Sequence, residues 1–254
     1  MAHPAVSVLE WQLVVYRRTW RAGLFGYFVI PVLFLLGIGL GLGGYVDQGG
    51  RLGVDYLAYI APGLMVASAM GIAAGEATWP VLAYLKWNQM YQAMLATPLR
   101  VWDVLVGHVS FVVFRTLLAS AAYLLVMLVA GAVRSPWALL ALPVAGLVGL
   151  ATAAPVFAFT ARQEDDAMLS VVQRFVIVPV SLFSGVFFPI SQLPAAVRPL
   201  AWLFPLWHGV ELSRGLSLGR LAVLPALGHV AVLLAWSAAG LAVAHAVFRR
   251  RLVW

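Results

Sequence analysis

Residues 104–133 read VLVGHVSFVVFRTLLASAAYLLVMLVAGAV. A single permanent charge, that of Arg115, interrupts the stretch. As a helix it would be about 45 Å long, more than the roughly 30 Å of hydrocarbon in a bilayer. A segment so long and so evenly apolar has lipid as its solvent. Five more stretches have this character: 24–44 with no charge, 56–79 with Glu76, 137–161 with no ionisable group, 167–188 with Arg174, and 221–248 with His229 and His245. The reading is an all-α membrane protein with six transmembrane helices in one domain, 1–254.

The whole composition agrees. Of 254 residues 63% are hydrophobic and 10% charged, where soluble domains run near 45–50% and 25%. Mean hydropathy is +0.97. A soluble enzyme, a disordered chain and a nucleic-acid-binding module are excluded. The net charge of +7 is therefore not a polyanion-binding surface. Arg17, Arg18, Arg21, Lys86, Arg100, Arg162, Arg249, Arg250 and Arg251 fall on one side of the expected spans. Arg51, Arg134, Arg198, Arg214 and Arg220 fall on the other. The richer side is cytoplasmic by the positive-inside rule, which puts both termini in the cytoplasm. The first stretch is longer than a signal-peptide core and no A-x-A-like site follows it, so it reads as an uncleaved span. With no cysteine, thiolate chemistry and Cys-ligated metals are excluded.

Two segments are neither spans nor simple loops. Residues 5–20 (AVSVLEWQLVVYRRTW) form a helix that suits the headgroup layer, or else the start of the first span. Residues 194–219 are apolar but carry Pro199, Pro205, Gly209 and Gly215, which suits a re-entrant helical segment on the outer side.

Some patterns mislead. Residues 39–44 fit G-x-G-x-x-G, and Gly215 to Gly219 fits G-x-S-x-G, but both lack the preceding strand those sites require. Gly37/Gly41, Gly39/Gly43 and Gly71/Gly75 instead suit close helix packing. No phosphate-binding G-x-x-x-x-G-K-[ST] occurs, so any ATP must bind another chain.

The inner loop 84–103 holds Met94, Leu95 and Leu99 on one apolar side, with Pro98 placed to start a new helical turn and Arg100 and Asp103 supplying charge. Such a short helix either docks a partner or anchors the loop to the membrane surface. Three stretches, YQAMLATPLRVWDVLVGH, LFSGVFFPISQLP and PLWHGVELSRGLSLG, occur in an order that resembles the membrane subunit of type-2 ABC exporters. The resemblance is to the branch with the nodulation lipo-oligosaccharide and daunorubicin-type drug exporters. The third stretch matches a family pattern of proline, histidine and then arginine six residues later, here Pro205, His208 and Arg214. Arg174 and Trp79-Pro80 depart from the family pattern.

The resemblance implies a permease working as a homodimer or close heterodimer in the bacterial inner membrane. Two ATPase subunits would dock beneath it and hold ATP and magnesium, with no cofactor on this chain. Met94, Leu95, Thr97, Pro98, Leu99, Arg100 and Asp103 would couple to the ATPase, and 5–20 would assist them. Substrate would enter between spans one and five.

On the outer side, Phe183, Phe187, Phe188 and Pro189 form a gate or ordinary surface packing. His208, Glu211 and Arg214, spaced i, i+3, i+6, latch a cap or form a local ion pair. Within the spans, Arg115 and Arg174 either line a substrate entrance or pair with Glu76 and Asp166. His229 and His245 read as satisfied bundle histidines. A lipid-modifying enzyme would need acids, His or Ser clustered at one depth, and none is evident. A proton-coupled secondary multidrug transporter is the remaining alternative, and it expects acids at mid-membrane.

Overall fold

The computed structural model of the protein describes residues 3–41 and 54–253. Every regular element among them is helical. The long helices are α1 (Pro4–Gly41), α2 (Tyr56–Glu76), α5 (Val101–Val129), α6 (Ala141–Thr160, entered through a 3₁₀ turn Pro136–Leu140) and α11 (Val223–Val253). Between them lie α3 (Trp79–Leu82, running into a π-turn Ala83–Trp87) and α4 (Met90–Leu95). The segment after α6 holds α7 (Ala167–Val172), a π-turn Gln173–Ile177, α8 (Val178–Phe183), α9 (Arg198–Leu203) and α10 (Pro205–Leu218).

Four of the expected spans are helices long and apolar enough to cross a bilayer: Tyr56–Trp87, Val101–Val129, Pro136–Thr160 and Val223–Val253. The first expected span lies on α1, and its end at 42–44 falls outside the described residues, as does Arg51. The end expected for the fifth stretch, 167–188, is corrected. The helical run ends at Phe183, because Gly185 turns the chain in the left-handed region at φ +76°. That leaves Ala167–Phe183, about 25 Å long.

The separate helix expected over 5–20 is also corrected. Pro4–Gly41 is one continuous helix. No proline lies between Pro4 and Pro31, and a buried stripe of Ala5, Val8 and Gln12 seats its first turns on α5. Contact is closest at Gly107, where an added Cβ would lie 2.5 Å from Val8 Cβ and 2.8 Å from the Ala5 carbonyl oxygen. Of the expected glycine pairs, Gly39/Gly43 reaches outside the described residues, and Gly37/Gly41 and Gly71/Gly75 do not pack helices in this way. Among the described residues, a Cβ on Gly37, Gly41, Gly71 or Gly75 would meet nothing within 4 Å.

α2 is the central element and α11 a peripheral one. The most apolar stretch is 72% buried in Tyr56–Trp87 and 22% buried in α11. The α2–α3 rod breaks at Ala77–Thr78, one turn before Pro80, whose ring nitrogen cannot continue the ladder. Thr78 Oγ1 donates to the Ala74 and Gly75 carbonyls at 3.0 and 2.9 Å, and Thr160 Oγ1 on α6 donates to the Ala77 carbonyl at 2.8 Å. The Ala74, Gly75 and Ala77 carbonyls at the break are thus satisfied by side chains.

Two apolar layers fill the bundle. One, at the end of the 84–103 loop, joins Val81, Leu85, Tyr91, Leu105, Phe157 and Phe248. The other joins Ile60, Met65, Met127, Val148, Leu206 and Val210. α10 is wedged into this second layer against α2, α6 and α11, with Pro205 at its start and Gly219 (φ +68°) ending it.

Candidate coupling and transport sites

The 84–103 loop forms a hook. Gln89 takes a left-handed backbone, φ 48°, and reverses the chain into α4. After Leu95 a turn through Ala96, Thr97 and Pro98 leads to Arg100, the N-cap of α5. Thr97 Oγ1 donates to the Met94 carbonyl at 2.6 Å and holds that turn. Two expectations are corrected. Pro98 lies in the turn and starts no helix, which resumes at Val101. Met94, Leu95 and Leu99 are half-buried against the apolar layer and do not form an exposed apolar side. The tip presents Ala93, Ala96, Thr97, Pro98 and Arg100 instead, flanked by exposed Trp87 and Trp102. Buried Asp103 accepts from the Arg100 backbone N–H at 2.9 Å, so it caps α5 as an acid in the first turn should.

The inward turn of the hook has a source that sequence reading missed. Tyr91, the buried residue of α4, reaches His108 on α5, with Tyr91 Oη and His108 Nδ1 2.5 Å apart. Beside the hook, Lys86 contacts Glu164 Oε2 at 3.0 Å, and Arg251 at the end of α11 pairs with the same carboxylate. The two cations, Arg251 foremost, hold the exposed Glu164 carboxyl down at about 2. Their separations in sequence hid this clasp.

Within the bundle, Arg115 pairs with Glu76 and lies 5.4 Å from the centre of the Tyr16 ring, joining α5, α2 and α1. This is the pairing expected as one alternative. The Asp166–Arg174 pair is not formed: among the described residues the Arg174 side chain has no ion pair or hydrogen bond. Arg174 is exposed and sits in the π-turn beside exposed Phe175 and Val176. Single π-turns inside helices occur often at functional sites.

At the opposite end, Arg214 is the hub. Its Nε donates to the Tyr59 carbonyl at 3.0 Å. Its Nη2 donates to the Gly185 and Val186 carbonyls at 2.7 and 3.3 Å, and its Nη1 to Glu211 Oε1 at 3.2 Å. The guanidinium carbon lies 3.8 Å from the Tyr59 ring centre. The expected i, i+3 contact is therefore present for Glu211 and Arg214. His208 leaves that row: its Nδ1 lies 2.8 Å from His229 Nδ1 on α11, and its Nε2 2.9 Å from the Trp202 carbonyl. His245 packs edge-on against Trp102. Phe183 is exposed, whereas Phe187, Phe188 and Pro189 are half-buried; the Phe187 carbonyl accepts from Tyr56 Oη at 3.2 Å. A cavity of about 360 Å³ opens next to Arg214, lined in part by Tyr59, Glu211, Arg220 and His229. Among the described residues no three His, Cys, Asp or Glu side chains are grouped to hold a metal ion.

A bundle with four helices long and apolar enough to cross a bilayer, a hook at one end and an arginine-tied segment at the other, has the form of an integral membrane protein. Residues 5–218 match the ABC-2 type transporter membrane family. Nodulation protein J of Rhizobium leguminosarum bv. trifolii is 31% identical over 248 residues, covering 98% of this chain and 94% of that protein. The bv. viciae protein of the same name is 33% identical over 253 residues, covering 96% of each. Nodulation protein J of Sinorhizobium fredii is 32% identical over 216 residues, covering 85% of this chain and 81% of its own. The chain belongs to the ABC-2 type transporter family and is a membrane permease of the nodulation-J type.

Proposed function

We propose that the chain is the membrane half of an ATP-driven exporter of an amphipathic cargo: a lipo-oligosaccharide, a glycolipid or a hydrophobic drug. Two copies of a separate ATPase, carrying ATP and magnesium, dock on the hook. The permease pairs with a second copy or a related permease in the bacterial inner membrane, with both termini cytoplasmic. α1 and the Ala167–Phe183 run supply the first and fifth of six spans, and α10 is the re-entrant outer segment.

The observation that carries the reading is the hook itself. It joins two bundle helices, packs Met94, Leu95 and Leu99 against the core and turns Ala93, Ala96, Thr97 and Pro98 outward between exposed Trp87 and Trp102, at the end where Arg249, Arg250 and Arg251 gather. A motor needs such a stiff contact, and the motor would be a separate chain, since this one carries no G-x-x-x-x-G-K-[ST] loop. The relatives named for nodulation support export of a lipid-linked saccharide. Arg174, a cation on an apolar face, suits a cargo with an anionic or zwitterionic headgroup. The proton-coupled alternative is weakened because Glu76, the one acid in the expected spans, is engaged by Arg115.

The test is purification of the tagged permease with its ATPase. Co-purification and vanadate-sensitive export are expected. Ala93→Glu and Ala96→Glu, on the exposed tip, should release the ATPase without disturbing the core. Undiminished association would remove the docking role. Arg174→Gln should impair export while leaving ATPase binding intact, and unchanged export would take Arg174 out of the cargo path.

A further inference from the structure

α4 has six residues and a single buried side chain, Tyr91. A helix this short has no stability of its own in water, so its orientation comes from what holds it. The chain on either side gives it two hinges: the left-handed Gln89 before it and the Ala96–Pro98 turn after it. Tyr91 is 1% exposed and His108 is 1% exposed, and their 2.5 Å hydrogen bond closes the loop across its neck. One proton is shared between Tyr91 Oη and His108 Nδ1, the imidazole tautomer deciding which atom donates.

The pair is boxed by rings from the π-turn, α6 and α11. Tyr84 of the π-turn lies 5.7 Å from the Tyr91 ring and 5.6 Å from the His108 ring. Phe157 on α6 meets His108 edge-on at 5.0 Å, and Phe248 on α11 lies 5.7 Å from Tyr91. Trp11 on α1 touches Tyr84 at 5.5 Å. These contacts join α4 to α5, α6 and α11 together. The other side-chain ties nearby, Gln92 Nε2 donating to the Leu85 carbonyl at 2.7 Å and Thr97 Oγ1 to the Met94 carbonyl at 2.6 Å, link α4 only to the segments adjoining it in sequence.

The geometry points to Tyr91 and His108 as positioning residues that convert the hook into a rigid lever. Their hydrogen bond transmits movement at the Ala93–Pro98 tip into α5 and, through the aromatic box, into the bundle. This rests on the reading of the tip as the motor contact. Without the bond the tip still meets the ATPase, but α4 swings on its two hinges and the stroke is lost.

The chain has no cysteine, so spin labels can be placed cleanly. Labels at Val129→Cys, at the far end of α5, and Leu182→Cys, on α8, report movement at the end opposite the hook; both positions are exposed. The full permease–ATPase complex is reconstituted in vesicles and compared without nucleotide and trapped with ATP and vanadate. The unsubstituted pair is expected to show a change in label separation on trapping. Tyr91→Phe, which keeps the ring in its box, and His108→Leu should retain the ATPase and its hydrolysis yet lose that change. His108→Asn, whose amide returns a hydrogen-bonding group near the Nδ1 position, should restore it. The combined Tyr91→Phe/His108→Leu variant should be no worse than either alone. A full change of separation in Tyr91→Phe, or no rescue by His108→Asn, overturns the lever. Failure of the unsubstituted permease to bind the ATPase overturns instead the exporter reading on which it rests.

Discussion

Arg214 and Glu211 face each other at 3.2 Å, but they do not matter equally. The Arg214 side chain is 9% exposed and bonds three backbone carbonyls, whereas the Glu211 side chain is 42% exposed. A half-exposed ion pair contributes about 0–1 kcal/mol. Each buried carbonyl stripped of its donor costs about 1–3 kcal/mol. The carbonyl contacts therefore decide what Arg214 does. Glu211→Gln should lower stability by less than about 1 kcal/mol, and Arg214→Ala by about 3 kcal/mol or more. Thermal unfolding in detergent measures both. Equal losses would mean that the ion pair, and not the tie to Tyr59, Gly185 and Val186, holds the cap. The Pro205, His208, Arg214 pattern was visible in the sequence. Its acceptors were not, because Gly185 and Val186 act through backbone atoms that carry no residue signature.

Element types were largely legible, because apolar runs of helical length have one solution in lipid. Element ends were less so. The fifth run ends early at a glycine turn, and the first begins early because nothing breaks Pro4–Gly41. The α1–α5 contact was hidden too. A glycine in an apolar helix reads the same whether it faces lipid or another backbone. Gly71 and Gly75 looked like packing glycines and meet nothing described within 4 Å, while Gly107 meets Val8 Cβ and the Ala5 carbonyl oxygen. Gly107→Ala should therefore destabilise the protein by about 1–3 kcal/mol, the usual cost of overpacking. Adding Val8→Gly should recover part of the loss and no more, because the Ala5 carbonyl is backbone and remains in the way. Full recovery by Val8→Gly would show that only the Val8 side chain sets the α1–α5 distance. Gly71→Ala is the control and should be close to neutral.

Across the whole molecule, Lys86 and Arg251 entered the sequence reading only as two of the cytoplasmic positive charges. They have a second use: they converge on Glu164 and tie the hook's base, the α6–α7 turn and the end of α11 to one point. No spacing rule joins residues 86, 164 and 251, so only the folded bundle reveals the convergence. Its pH dependence has a definite sign. The Glu164 carboxyl sits at about 2 when folded, below its ordinary value of 4.5. A depressed carboxyl stabilises the fold above its unfolded pKa, and that stabilisation is lost as pH falls through the folded value. The gap in Tm between the unsubstituted protein and Glu164→Gln should thus be constant from neutral pH to about 5 and close between roughly pH 4.5 and pH 2. Because Glu164 is exposed, high salt should shrink the gap at neutral pH as well, the Debye length falling to about 3 Å at 1 M. A gap that opens as pH falls would mean that Glu164 is held by burial or a neutral hydrogen bond and not by its two cations. A gap indifferent to salt would place the carboxylate out of solvent, and the three segments would then be joined by packing and not by charge.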